Sequence, residues 1–537
     1  MKKKTLGRWL ALLLACMMIV SMAACGKPNT PTESGKPDTP TESGKPSEAP
    51  PPADPTKDTI KVAVTNDMGT LDPAQNSGTD LVGPTTRMIH EPLWYFDSDG
   101  EIVWMLATGY EWMDDVTIRI HVREGVNFMN GEILNAHDVL YSLIRYNHRE
   151  GQGAMFRFLD EENSSVVDEY TVDMKLNEVN TSIPLTMGQY AIVRNNVTMD
   201  EAARSPNGTG PYAVTDYVIN SHLYLSRRDD YWGELPATKN FQFLQLKEEA
   251  QRTNALQTGT VDVAAVPFQD VDFVRSLPGI NLEITPSHGQ QVIFFNVSDT
   301  SVFHQNEDAR RAVTYAVDTA AIRRLVYNDL VDTPKTVMQQ HVTDMEDRYF
   351  QFGGVYESGQ DLELAKQYAE SAGIIGKELR LINNGAPAAV LTCELIQADL
   401  KKIGVEVDVR SYDMGSWTTY LFDDTQYDMC FDGNWALQNT VTSALKYSVE
   451  NMSAYAYKNY PWNGSEEVLE RLATIYTVDE TTQKEWRYEV SKAVADAYLW
   501  ISLADMVNTW AINEGVAGNA RQNTQSWINW HKLYWAQ

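Results

Sequence analysis

The chain has 537 residues, 43% hydrophobic and 10% aromatic, too long for one core and apolar enough for two or three. It carries 44 basic against 73 acidic residues, a formal net charge of −29. So acidic a surface argues against nucleic acid and against broad contact with anionic lipid, and it leaves the identity of any small solute open.

Met1–Ala24 has the three parts of a secretion signal: Lys2, Lys3, Lys4 and Arg8, then an apolar run from Trp9 to Val20, then small residues. The run is short for a membrane span. Met22-Ala23-Ala24-Cys25 follows, close to a bacterial lipobox but with Met in place of the usual Leu. Cys25 is therefore expected to become the mature N-terminus and to carry a diacylglycerol anchor. The alternative is an ordinary signal peptide with an incidental cysteine. Without the leader the balance is 40 basic to 73 acidic residues, a net −33.

Residues 25–57 form a low-complexity tether. Asn29 to Lys36 (NTPTESGK) is nearly repeated from Asp38 to Lys45 (DTPTESGK), and Pro50-Pro51-Pro52 follows. Such a composition buries no core and stays extended. At the rise of an extended chain it reaches on the order of 100 Å. Of four cysteines, Cys16 leaves with the signal and Cys25 takes lipid. Cys393 and Cys430 remain, read as two buried thiols, with a disulfide as the alternative.

The folded part opens with a strand, Thr59–Thr65, then Gly69-Thr70-Leu71-Asp72-Pro73 and Glu91-Pro92-Leu93-Trp94. Asp97-Ser98-Asp99-Gly100-Glu101 fails as a calcium loop because Ile102 stands where Gly is needed, and it reads as a turn. Thr117–Arg123 alternates as a half-buried strand, and Asn135 caps a helix with Val139, Leu140 and Leu143 on one face. The loop Asn207-Gly208-Thr209-Gly210-Pro211 leads into strands Tyr212–Tyr217 and His222–Ser226, then a helix Glu248–Gln257 stopped by Gly259. Gln291–Asn296 reads as a strand and Asp308–Asn328 as one helix. Leu362–Ala372, Ala388–Ile403, Glu466–Thr477 and Glu480–Tyr498 are further helices. Glu378–Asn383, Val405–Val409 and the region near Leu499–Asn508 are strands. Helices between strands predict mixed sheets covered by helices, an α/β fold.

Three blocks of this chain in order, GTGPY, RRDDYWGELP and ALQTGTVD, resemble the middle signature of the bacterial extracellular solute-binding proteins of family 5, which serve ABC importers of peptides and nickel. TLDP, EPLW, TIRIHVREGVNFMNGEILNAHDVLYSLIRY and FFNVS with ARRAVTYAVD resemble the family's other blocks, and the likeness runs from Thr59 to the C-terminus. The resemblance implies a periplasmic-binding-protein-like fold of cluster C type, with two lobes and an inserted subdomain. By that pattern lobe I is 58–96, 205–288 and 505–537, the inserted subdomain is 97–204, and lobe II is 289–504. It also implies a solute in the interlobe cleft, a permease and an ATPase as partners, and residence outside the cytoplasm. Membrane contact would be through the lipid anchor alone, and the protein is expected to be a monomer. The arginines of ARRAVTYAVD read as structural.

In peptide-binding relatives, a Tyr-Asp pair leads into a strand whose following Asp pairs with the peptide ammonium. Here Tyr427-Asp428 is present, but Asn434–Tyr447 reads NWALQNTVTSALKY, without a carboxylate. The candidate ligand-binding set is therefore aromatic and amide-rich: Tyr412, Trp417, Asn434, Trp435, Gln438 and Asn439. Asp80 (or Asp67) is the alternative source of a cleft acid, with Trp435 then packed in the core. A peptide that need not present an ammonium is the expected solute, and an oligosaccharide is the alternative.

Catalysis has little support. No phosphate-binding loop, GxSxG, HExxH or complete GxGxxG is present, and nine scattered histidines show no metal-ligand spacing. No cofactor and no metal are expected. A surface hydrolase on the same stalk, and a signalling receptor of the same fold, are the competing readings.

Overall fold

The computed structural model describes residues 54, 57–65, 69–75, 83–97, 101–148, 158–181, 183–187, 190–342, 344–353, 359–421, 423–436, 440–451, 462, 464–518 and 528–537. The leader, Cys25 and the tether as far as residue 53 lie outside the described residues; Asp54 and Lys57 at its end lie against Trp535.

Ten strands form one mixed sheet. In spatial order they are Tyr212–Val218, His222–Arg227, Asn240–Gln245, Thr59–Val64, Val263–Ala265, Trp500–Asn513, Ile280–Phe295, Met429–Trp435, Glu378–Asn383 and Glu406–Ser411. Thr59–Val64 runs parallel to Asn240–Gln245, Thr59 opposite Asn240 and Val64 opposite Gln245. Its alternation divides two cores, as the period of a strand requires. Ile60, Val62 and Val64 face Phe241, Phe243 and Trp530, whereas Ala63 faces Ala255 and Leu256 of the helix Glu249–Gln257. At the far end Glu378–Asn383 is parallel to Glu406–Ser411, and the helix Pro387–Lys402 connects them. Gly404, with φ of 79°, supplies the left-handed turn after that helix.

A separate four-stranded antiparallel sheet has the order Ala107–Asp114, Thr117–Val122, Thr171–Lys175, Ser165–Asp168. The helix Ala136–Asn147 covers it. Asn135 accepts from the N–H of His137, and Asp138 accepts from the N–H of Asn135, a capping box at the position predicted. Ile118, Ile120, Val139, Leu143 and Tyr190 belong to the core of this unit.

The signature blocks hold distant segments of the chain together. Gly208 and Gly210 pass so close to the segment before EPLW that a Cβ would stand 1.9 Å from the Ile89 carbonyl oxygen and 2.4 Å from that of Met88. Arg228 donates to the carbonyls of Asn127 and Phe128 at 3.3 Å and is paired with Asp230 at 2.8 Å. This ties RRDDYWGELP to the loop of the NFMNG block. Arg310 of ARRAVTYAVD is buried and donates to the carbonyls of Ala497 and Phe303 at 2.7 and 2.8 Å, a structural role.

Three elements differ from their sequence-based reading. The expected helix Asp308–Asn328 is two helices, Glu307–Ala316 and Thr319–Tyr327. Val317 is extended, Asp318 caps the second helix through the N–H of Ala321, and the N–H of Asp318 is taken by Asp399 at 2.8 Å. The strand expected at Gln291–Asn296 begins at Ile280, and the one near Leu499–Asn508 reaches Asn513. Cys393 and Cys430 are free and buried.

Candidate interlobe cleft

The two long strands are the backbone of the candidate site, because each serves both halves of the ten-stranded sheet. Ile280–Pro286 pairs with Asn513–Val507, and Gln290–Phe294 pairs with Asp505–Trp500. Between them the register slips, at 286–290 and again at 291–292. Pro286 has no N–H to give the ladder, and such irregularities bend a strand. At the same level Gly289 lies opposite Trp435. A third segment passes here, with Asp332 and Asp505 exchanging both backbone hydrogen bonds at 3.0 Å.

The crossing is filled with polar groups. Gln290 is fully buried, and its Nε2 donates to Asp505 Oδ1 at 2.7 Å and to the Met338 carbonyl at 3.0 Å. Its Oε1 accepts from Ser502 Oγ at 2.8 Å. Asp505 Oδ2 accepts from the Gln340 N–H at 3.2 Å. Burial pushes the Asp505 carboxyl up to about 7, against the pull of these donors and of His341. His341 Nε2 stands 2.8 Å from Asp332 Oδ2, which holds the Asp332 carboxyl below its ordinary value. Burial first, and then His341, bring the neighbouring His288 down to about 4. A raised carboxyl can mark a proton-transfer site. Here both oxygens of Asp505 are taken by internal donors, so the group holds the crossing together.

A second buried cluster lies in the other half. Glu91 of EPLW accepts from Tyr231 Oη at 2.5 Å and from Trp232 Nε1 at 2.8 Å, and burial raises it to about 7. Four residues earlier, the Arg87 guanidinium stacks over Tyr95 at 3.8 Å, and burial lowers it to about 9. His90 is held near 3 by burial and by the charge of Arg145.

The family model described as "Bacterial extracellular solute-binding proteins, family 5 Middle" matches residues 101–452. The chain belongs to this family.

As a family 5 protein, it resembles the probable ABC transporter periplasmic-binding protein SapA of Escherichia coli, with 22% identity over 427 residues, 72% of this chain and 76% of the relative. Among solved structures, the ABC transporter substrate-binding protein CtaP of Listeria monocytogenes superposes with a TM-score of 0.78 at 19% identity, covering 90% of this chain and all of that one. DppA of Helicobacter pylori, in complex with the peptide STSA, gives 0.71 at 19% identity, over 89% and 98% of the two chains. The fold is the two-lobed periplasmic-binding-protein type, with mixed sheets covered by helices. The chain is an extracytoplasmic solute-binding protein of an ABC importer.

Within this family 5 protein, Trp435 ends the strand Met429–Trp435 at the crossing. Asn434, its neighbour, is fully buried. Its Oδ1 accepts from Ser448 Oγ at 2.7 Å, its carbonyl accepts from Gln339 Nε2, and it lies opposite Gln290. Asn434 is thus engaged by its own fold. Trp417 packs in the large core, 2% exposed, beside Cys430. Tyr412 follows the strand Glu406–Ser411, half-buried, its ring 4.4 Å from that of Tyr420. Gln438, Asn439, Asp80 and Asp67 lie outside the described residues, as does the side chain of Trp435. Among the described residues no group of acidic, His and Cys side chains is arranged to hold a metal ion. Sequence reasoning missed the crossing cluster of Gln290, Asp332, His341 and Asp505. A signal was present: Gln290-Gln291 and Asp505 are the polar interruptions in GQQVIFF and ISLADMV.

Proposed function

We propose that this protein is the lipid-anchored receptor of a peptide importer. It captures a peptide between two lobes and hands it unchanged to a permease driven by an ATPase. The division into lobe I (58–96, 205–288, 505–537), an inserted subdomain (97–204) and lobe II (289–504) is part of this reading. So is attachment of the mature chain through Cys25. The observation that carries it is the crossing: two strands with interrupted register and one isolated bridge connect the halves of the sheet. A junction that narrow can bend while each core stays packed, and solute binding then shifts an open–closed equilibrium. The peptide in the DppA neighbour supports the choice of solute.

The strand Met429–Trp435 and the stretch after it are read as the wall that meets the peptide. Asn434–Tyr447 has no carboxylate, so the peptide need not present an ammonium. The carboxylate just before it, Asp432, accepts the N–H of Gly433 at 2.7 Å. The test is calorimetry with matched free and N-acetylated peptides of three to five residues, together with oligosaccharides. We expect the capped and free peptides to bind within a few-fold of one another, and Trp435→Ala to weaken both. A strong preference for the free amine refutes the ammonium-independent reading. Binding of sugars but not of peptides refutes the peptide.

A further inference from the structure

Thr181 makes a tie between two cores that the crossing strands do not account for. It stands just before the helix Ile183–Met187, whose Ile183 and Met187 are buried in the core of the four-stranded unit. Trp94 Nε1 fixes the same helix by donating to the Pro184 carbonyl at 2.9 Å. The other party is Tyr476, in the short turn Ile475–Thr477 between helices Ser465–Thr474 and Glu480–Asp496. Leu472 and Val490 root those helices in the large core. The backbone N–H of Thr181 and its Oγ1 both donate to the Tyr476 carbonyl, at 3.2 and 2.9 Å. Oγ1 in turn accepts from Gln483 Nε2 at 3.0 Å, and that nitrogen is steadied by the Val478 carbonyl at 2.8 Å.

Two properties separate this contact from the crossing. It is made by exposed polar groups, each replaceable by water when the contact opens, so breaking it costs little. The crossing is held instead by buried groups, Gln290 and Asp505 among them, whose unpaired state would be costly. The receiving turn also touches the candidate binding wall. Lys446, in the segment that leaves the strand Met429–Trp435 by way of the helix Val441–Leu445, holds its Nζ 5.4 Å from the centre of the Tyr476 ring. A change at the end of that strand therefore has a short physical route to the Thr181 contact.

We propose that Thr181, with Tyr476 and Gln483, is a closure latch: a reversible hydrogen-bonded catch between the unit around residues 107–192 and the body around residues 292–507. It sets how far the protein closes and how long it retains a solute. The proposal rests on the reading of a cleft that opens and closes, and it extends that reading to a residue outside the binding wall.

The test needs no solute. On a Cys25→Ser background, Glu178→Cys and Glu480→Cys place spin labels on exposed positions of the two bodies, while Cys393 and Cys430 stay buried. In the full chain the distance distribution reports the closed fraction. Thr181→Ala and Gln483→Leu should each lower the closed-to-open ratio roughly five-fold. The double variant should go no lower than Thr181→Ala alone, since that substitution already removes the Gln483 bond together with the hydroxyl bond to Tyr476. Thr181→Ser, which keeps the hydroxyl, should behave as the parent. All four should melt as the parent does, because no core group changes. A parent without a short-distance population overturns the latch. So do populations equal across the variants, or a double variant that shifts by the sum of the two. A non-peptide solute would overturn the peptide reading and leave this result standing, and the converse holds for the calorimetry.

Discussion

Gln290 and Asp505 sit 215 residues apart and meet at 2.7 Å where the two long strands cross between the halves of the sheet. Gln290 uses both ends of its amide there, donating to Asp505 and accepting from Ser502. An amide is suited to that place because it gives and accepts without bringing a second charge beside a buried carboxyl.

Gln290→Leu should therefore be costly despite its similar size. It leaves Asp505, the Met338 carbonyl and Ser502 without their partner in a dry site. The expected loss is about 2–4 kcal/mol, read as a lower midpoint in urea denaturation. A loss below about 1 kcal/mol would mean that water reaches the crossing.

The same carboxyl makes stability depend on pH. Asp505 has a folded pKa near 7 against an ordinary 3.8. Between these values the native state keeps a proton that the unfolded chain has lost, so this term falls as pH rises from about 4 to 7. Glu91, raised to about 7 by burial, acts in the same direction. His90 and His531, near 3, and His288, near 4, act oppositely: the unfolded chain takes up protons that the native state refuses, so their term falls as pH drops below about 6.5. Asp505→Asn removes one carboxyl term. The stability of the variant relative to the parent should climb by about 3 kcal/mol between pH 5 and pH 8, whatever the fixed cost of the substitution. A flat difference across that range would show that Asp505 is already ionised at pH 5.

Gly208→Ala tests whether the GTGP block holds distant segments together. The added Cβ would lie 1.9 Å from a backbone oxygen, with no flexible side chain to yield. A loss of about 3 kcal/mol is expected by thermal or chemical melting. Gly69→Ala is the control, since a Cβ there meets nothing within 4 Å. Equal effects at the two positions would refute the steric account.

Cys25→Ser tests the tether. The variant should keep the parent's melting temperature and move from the membrane fraction to the medium, because two acyl chains hold a protein where none remain here. Retention on membranes after a high-salt wash would refute the anchor.

Local chemistry made much of this protein legible in its sequence. Alternation in TIRIHV, the cap at Asn135, and Gly404 after a helix are written within a few residues of where they act, so the elements were readable in place. The family blocks were legible as well, though not what they do. That Glu91 closes on Tyr231 and Trp232, 140 and 141 residues away, belongs to tertiary packing. The same holds for the break at Val317, where the helical period runs on but the carboxylate of Asp399, 81 residues later, captures the N–H of Asp318. Register across the crossing is of this kind too. The apolar ends of the two long strands announce strands, yet only their pairing decides that Gln290 faces Asp505 and that Gly289 faces Trp435. Hydrophobic period and turn residues act over a few residues and are set by the chain alone. Which buried donor meets which acceptor is settled when distant segments are brought out of water together, because only there is an unpaired polar group expensive.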